Sequence, residues 1–251
     1  MKNPNKLTCV TTSWDDGDHL DLELAELLCS KAILGTFYIP IRYREHPLSH
    51  ADLRSLVAEG FEVGAHGHTH KLLWRLQPNE VREEVMPCKQ ALEDILGRQV
   101  DMFCYPGGRH DANVIRTLRE VGYSGARTVR MLATRPTADA FEMPTTLQAY
   151  PHAPLTYIKN VCRARSLERS RSLLEQISHL GNWVDLGKRL FDAVLKEGGV
   201  WHLYGHSWEI EEFGLWNDLR ELLDYVSHRE GVRYVRNHAL LQTQLGQLSA
   251  D

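Results

Sequence analysis

Cysteine is scarce and scattered in this chain, and its pattern excludes a disulfide framework. The five residues Cys9, Cys29, Cys88, Cys104 and Cys162 are odd in number and contain no Cys-x-x-Cys pair, so a reducing cytoplasm is the expected setting. Absent too is any apolar run near the roughly 20 residues that a membrane span needs. The N-terminal MKNPNKLTCV has no apolar centre of the kind a secretory signal carries. Charge of one sign is not in excess. The 29 basic and 33 acidic side chains leave a net of −4, which gives no support to nucleic-acid or anionic-membrane binding. Repeats and low-complexity linkers are missing as well. What remains is 251 residues, 43% hydrophobic and 25% charged, enough for a full core and expected to form one domain over residues 1–251.

Strand-like and helix-like patterns alternate along most of this length. Apolar runs over 7–14, 33–39, 61–65, 100–105, 123–129, 199–206 and 232–235 predict strands. Between them, Leu20, Leu24, Leu27 and Leu28 recur at helical spacing, with Asp18 as the expected N-cap. Further helices are expected over 52–59, from Val81 to Leu96, and over 111–120, 183–196 and 216–228. Pro87 should kink or split the second of these. From 131 to 181 the pattern is lost among prolines and arginines, which predicts an insertion holding at least one helix. Strands alternating with helices imply right-handed crossovers and a parallel α/β sheet, either a barrel or doubly wound.

Polar residues collect where these strands end. Asp15 and Asp16, His66, the Pro106-Gly107-Gly108 turn, Arg127 and His206 all stand at or just past predicted C-terminal strand ends. In a β/α barrel that rim carries the active site. Asp15-Asp16-Gly17 is also ordinary turn chemistry, and two adjacent carboxylates raise each other's pKa unless something positive lies between or beside them. The stretch AHGHTH places His66, His68 and His70 directly after a strand. Two histidines four apart suit one metal ion on a helical turn. With Asp16 they would form a two-His, one-carboxylate face that leaves positions open. His68 is expected at the rim. A surface cluster of histidines is the plainer alternative.

These residues resemble the polysaccharide deacetylases of the NodB-homology group, carbohydrate esterase family 4. Ser13-Trp14-Asp15-Asp16-Gly17 is similar to that family's T-F-D-D-G motif, and His66-Gly67-His68-Thr69-His70 to its H-[ST]-x-x-H. Phe103 to Gly108 aligns with its R-x-P-[YF]-G-like motif, and Leu203-Tyr204-Gly205-His206 with the late motif that ends in histidine. The resemblance covers roughly residues 7–130 and 198–240. It implies a distorted (β/α)7-type barrel and a hydrolase that removes an N-acetyl group from an amino sugar. Asp15 is then the general base, His206 the general acid, and Asp16, His66 and His70 the ligands of one divalent ion. Zinc is expected there before cobalt, nickel or manganese.

Departures from the family pattern are specific. Gly67 replaces a Ser or Thr, Cys104 stands where the family has an arginine beside the catalytic aspartate, and Gly107 replaces an aromatic. The Asp-Trp pair of the usual fourth motif is not visible. Arg127, at the end of the next strand, is expected to supply the missing positive charge, with an ordinary surface salt bridge as the alternative. The Gly107 N–H is expected to help hold the acyl oxyanion, and Tyr105 and Trp208 to line the substrate. His202 competes with His206 for the acid role, but His206 lies nearer the rim. Arg163, Arg165, Arg169 and Arg171 read as a solvated helix face or as a diphosphate site. The absence of a signal fits an intracellular N-acetylated sugar or glycan intermediate of lipopolysaccharide or capsule assembly. Two alternatives remain: a same-fold amidase acting on a cyclic imide, ureide or formamide, and a carbohydrate-binding module with a dead site.

Overall fold

The computed structural model describes residues 7–135, 137–163 and 182–248. Its centre is β1 (Thr8–Asp15), buried along its whole length. Burial on both faces suits an inner strand of a parallel sheet, where apolar and β-branched residues run on without polar alternation. Alternation still decides direction. Val10 and Trp14 pack outward in the large core beneath the helices, whereas Cys9 belongs to a second cluster with Tyr38, Met102, Cys104 and Met143. Residues two apart share a face, so Thr11, Ser13 and Asp15 follow Cys9 to the inner side.

The remaining strands are β2 (Gly35–Ile39), β3 (Glu62–Ala65), β4 (Met102–Cys104), β5 (Gly125–Arg127), β6 (Leu147–Gln148), β7 (Gly199–Gly205) and β8 (Val232–Tyr234). They form a parallel sheet in the order β5-β4-β3-β2-β1-β7-β6. β8 pairs with Thr8–Val10 of β1, below the stretch Thr12–Asp15 that pairs with β2. The helices are α1 (Asp21–Ser30), α2 (His50–Ala58), α3 (Pro78–Leu96), α4 (Ala112–Val121), α5 (Pro154–Arg163), α6 (Trp183–Glu197), α7 (Ser207–Glu212), α8 (Trp216–Val226) and α9 (Asn237–Leu248). No helix among the described residues is long and apolar enough to cross a membrane. This is the α/β architecture of a distorted (β/α)7 barrel.

The segment expected as an insertion contributes to the barrel itself. Arg127 on β5 forms a parallel bridge with Met143, and four and five residues later Leu147 and Gln148 pair with β7. This run connects the two sheet edges and covers the unpaired strand groups they would otherwise expose. Its helix is α5. Arg165, Arg169 and Arg171 lie outside the described residues.

Three local expectations change. Asp18 does not cap α1, because the helix starts after Leu20; instead Asp18 accepts the Leu20 N–H at 3.1 Å and the Arg44 fork at 2.8 and 3.0 Å. Pro87 does not split α3, which runs continuously through it. Val81, Val85, Cys88 and Leu92 are buried on both sides of the proline, and this packing outweighs the lost backbone bond. Helices α7 and α9 were not foreseen, and α9 sends Leu240 and Leu241 into the inner cluster.

Gly64 shows how tightly the barrel interior is filled. A Cβ there would lie 2.5 Å from Cε1 of Tyr38 and 3.0 Å from the Met102 carbonyl. Tyr38 is fully buried and its hydroxyl accepts from Asn237 Nδ2 at 2.9 Å, so the ring has no room to yield. Gly64→Ala should therefore cost about 1–3 kcal/mol of stability, the usual range for overpacking. Urea unfolding of the two proteins, compared at equal m-value, measures it.

Candidate active site

At the end of β1 the backbone turns through two left-handed residues, Asp16 (φ 82°) and Gly17 (φ 63°). For a non-glycine residue this conformation is strained and needs support from its surroundings. Its effect is to send the two neighbouring carboxylates in different directions. Asp15 keeps the inward direction of the strand, while Asp16 faces the loop after β3.

That loop brings two imidazoles to Asp16. Oδ1 of Asp16 lies 3.7 Å from Nε2 of His66 and 3.4 Å from Nε2 of His70. Oδ1 is buried and has no hydrogen-bond partner among the described residues. Its other oxygen, Oδ2, accepts from the Trp208 indole N–H at 2.9 Å. His66 Nδ1 bonds the Cys104 carbonyl at 2.8 Å, which sets Nδ1 as the protonated nitrogen and leaves the Nε2 lone pair towards Asp16. His70 stacks on Tyr43 with ring centroids 4.0 Å apart. Burial lowers the pKa of His66, and burial with the neighbouring His66 holds His70 at about 4. Both rings are thus neutral near pH 7, the form that ligates metal. Glu84 pins the loop from α3, accepting the Thr69 N–H at 2.8 Å and its hydroxyl at 2.5 Å.

Among the described residues, two groups of donors have metal-ligand spacing: Asp16, His66 and His70, and Asp15, His66 and Cys104. Chemistry favours the first. Burial pushes the Cys104 thiol well up, despite nearby Arg127, so it stays protonated and donates to Asp15 Oδ2 at 3.7 Å. Asp15 is also already paired with a cation. Asp16 offers a buried carboxylate oxygen without a partner and faces two free Nε2 lone pairs, which fits a divalent ion.

Asp15 is 3% exposed and its partner Arg127 is 0% exposed. Arg127 Nη2 donates to Asp15 Oδ1, and its guanidinium lies over the rings of Tyr38 and Tyr204 at 5.3 and 4.9 Å. Burial works against the charged carboxylate, but Arg127, with His66 and His206 behind it, overrides this and holds Asp15 at about 2. On the other side, His206 Nε2 lies 3.9 Å from Asp15 Oδ2. His206 Nδ1 bonds Glu209 at 2.5 Å, and Gln148 Nε2 donates to the same carboxylate at 3.0 Å. Burial alone would lower the pKa of His206; the Glu209 bond and the charge of Asp15 raise it instead.

The other expected residues are placed as follows. Gly107 is exposed at φ 64°, and a Cβ there would come 2.9 Å from Leu72 Cδ2, so the position requires glycine. Tyr105 packs into the interior. Its side chain is buried, with the hydroxyl donating to the Phe141 carbonyl at 3.0 Å and the ring stacked on His110. Trp208 is partly exposed but commits its indole N–H to Asp16. His68 stays out of the donor group, and His202 is buried between Ser13 and the Pro144 carbonyl, where burial and Arg127 hold it at about 3. Tyr43, Glu84 and Glu209 were missed. Glu84 did leave a signal, a carboxylate on the apolar stripe of Val81, Val85 and Cys88. Glu209 becomes visible only once 207–212 is known to be helical, which puts it over His206 three residues back.

A buried carboxylate–guanidinium pair, a carboxylate-supported imidazole and an Asp-His-His donor set thus meet at the barrel mouth. The polysaccharide deacetylase family model matches residues 2–126, and the chain belongs to that family. No curated protein matches it by sequence. Among solved structures, a Mycobacterium smegmatis protein assigned as a polysaccharide deacetylase is 17% identical with a TM-score of 0.69, over 98% of this chain and 93% of that one. The chitin deacetylase of Colletotrichum lindemuthianum is 16% identical with a TM-score of 0.60, over 94% and 88%. A family 4 acetyl xylan esterase from Clostridium thermocellum, solved with a cobalt ion, is 14% identical with a TM-score of 0.60, over 94% and 91%. At these identities the likeness is one of fold.

Two predictions come from this geometry. Arg127→Met should lower stability by about 3–5 kcal/mol, because Asp15 stays buried without its cation. For the same reason the pKa of Asp15 should rise, moving the acid limb of the rate profile to higher pH. Chemical denaturation and a pH–rate series check the two effects. Glu209→Gln removes a charge that raises the pKa of His206, so any activity that needs protonated His206 should fade at a lower pH than in the wild type. The alkaline limb of kcat/KM reads this directly.

Proposed function

We propose that the protein is a metal-dependent carbohydrate deacetylase that removes the N-acetyl group of an amino sugar. The observation that carries this reading is the division of labour between the adjacent aspartates: Asp15 is held by Arg127, and Asp16 faces two neutral histidines. Asp16, His66 and His70 would hold one divalent ion, zinc first among the candidates. When bound, such an ion supplies Lewis-acid activation of water and of the acetyl carbonyl.

The chain's own residues supply proton transfer and orientation. Asp15 is kept ionised by Arg127 through Oδ1, which leaves Oδ2 to accept a proton from the attacking water. His206 is oriented by Glu209 through Nδ1, so its Nε2 is the atom that delivers a proton to the departing amine. The N–H of Gly107, an exposed residue, would donate to the acyl oxygen as it gains charge. The products are acetate and a free amino sugar. Arg127 beside Asp15 makes good the arginine missing at Cys104, so that departure gives no reason to prefer an amidase for imides or ureides. A soluble sugar or glycan intermediate handled inside the cell is the substrate we favour, and a role in lipopolysaccharide or capsule assembly follows from that setting.

Acetate release from a panel of N-acetylated sugars tests the reaction. Asp15→Asn keeps the side-chain shape without its basicity and should lower kcat by about 10²–10⁴-fold while leaving metal content unchanged. His66→Ala should lose bound metal in elemental analysis. Equal metal in His66→Ala and wild type would remove His66 from the ligand set, and no acetate from any substrate would end the deacetylase reading.

A further inference from the structure

Beside the proposed reaction centre lies an open groove of about 420 Å³ lined by Trp74, Gly108, Arg109, His110, Asp111 and Arg130. Three loops that build the centre also build its walls. Trp74 follows His70 by four residues, Arg109 follows Gly107 by two, and Arg130 follows Arg127 by three. Close contacts tie the loops together. Pro106 packs near Gly67, Leu72 lies against Gly107, and a Cβ on Gly108 would collide with the Val129 side chain.

The groove's charges are unequally satisfied. Glu142, at its edge, pairs with Arg130 at 3.1 Å and His110 at 3.4 Å. Asp111 spends Oδ1 on the Val114 N–H as the N-cap of α4. Arg109 and the neighbouring Arg75, both exposed, meet no carboxylate among the described residues. Each guanidinium instead lies over the Trp74 ring, at 5.3 and 4.7 Å. The Trp74 indole N–H and His110 Nδ1 are buried without hydrogen-bond partners among the described residues. Two guanidinium groups held against one indole ring, with no carboxylate partner among the described residues, suit a carboxylate or phosphate, because the planar fork matches either anion in two-point fashion.

Resting on the deacetylase reading, we infer that this groove is an anion subsite: it holds a negatively charged substituent on the sugar unit next to the one that loses its acetyl group. The substrate class is therefore an acidic acetylated glycan or sugar, and the subsite sets specificity.

Three N-acetylated oligosaccharides of equal length test this: one neutral, one carrying a uronate carboxylate, and one carrying a phosphate monoester. The expected result is a kcat/KM at least tenfold higher for an anionic substrate than for the neutral one. That ratio should fall at least tenfold in Arg75→Gln/Arg109→Gln and be largely kept in Arg75→Lys/Arg109→Lys. A preference for the uronate alone or the phosphate alone identifies the source of the charge. Equal use of all three by the wild type, or an unchanged ratio in the Gln variant, overturns the inference. If none of the three releases acetate, the deacetylase reading fails and the groove is judged by calorimetry with a uronate trisaccharide and the phosphorylated sugar. Binding by the wild type at least tenfold tighter than by the Gln variant keeps the anion subsite, and no saturable binding to either removes it.

Discussion

The ion pair between Asp15 and Arg127 is the constraint around which the barrel interior is arranged. A carboxylate that is to stay ionised at 3% exposure needs a cation at hand, and that cation is itself fully buried. The interior answers with two aromatic faces, Tyr38 and Tyr204, over the guanidinium. Tyr38 in turn fits because β3 carries Gly64 beneath its ring and because Asn237 at the start of α9 bonds its hydroxyl. Two strands, a glycine and a C-terminal helix are thereby recruited to keep one carboxylate ionised.

This arrangement accounts for an otherwise awkward sequence. Family resemblance places an arginine where β4 carries Cys104, and the cysteine leaves the base without its expected partner. β5 lies beside β4, with Cys104 and Arg127 in register. Residues in register on adjacent strands point to the same side, so an arginine on β5 reaches the carboxylate that one on β4 would otherwise meet. The charge is kept, and only the strand supplying it differs. The smaller Cys104 then contributes a thiol donor to the other oxygen of Asp15.

The second carboxylate is freed by backbone geometry. Were Asp16 to continue β1, it would point to the outer face among Val10 and Trp14. Its left-handed conformation turns it instead towards His66 and His70, while Trp208 and Gly17 stabilise the turn. Like-charge repulsion between neighbours is resolved by giving each carboxylate its own positive or metal-competent surroundings.

Much of this was legible in the linear chain, for identifiable reasons. Strand ends followed by Asp15-Asp16, by His66 and His70, and by His206 mark a rim, because parallel strands with short connections gather their C-terminal ends on one side. Helix boundaries such as the one after Asp111 were readable because an N-cap is a local event. Tyr105 shows where such reading stops: its motif position suggested a substrate contact, yet its ring faces Phe103 and His110 in the core. That α3 continues through Pro87 and that Leu147 and Gln148 within the expected insertion join the sheet were not readable locally, because long-range packing and the need to cover strand edges outweigh local preference. Sequence alone determined which chemical groups are present and that they share one end of a sheet, since both follow from local pattern and chain connectivity. Tertiary structure decided between the two readings of Arg127 by bringing it to Asp15, and it alone decided that Glu209 supports His206 and that Arg75 and Arg109 both lie over the Trp74 ring, because strand register, a backbone φ above zero and the packing of distant loops have no signature in the spacing of residues.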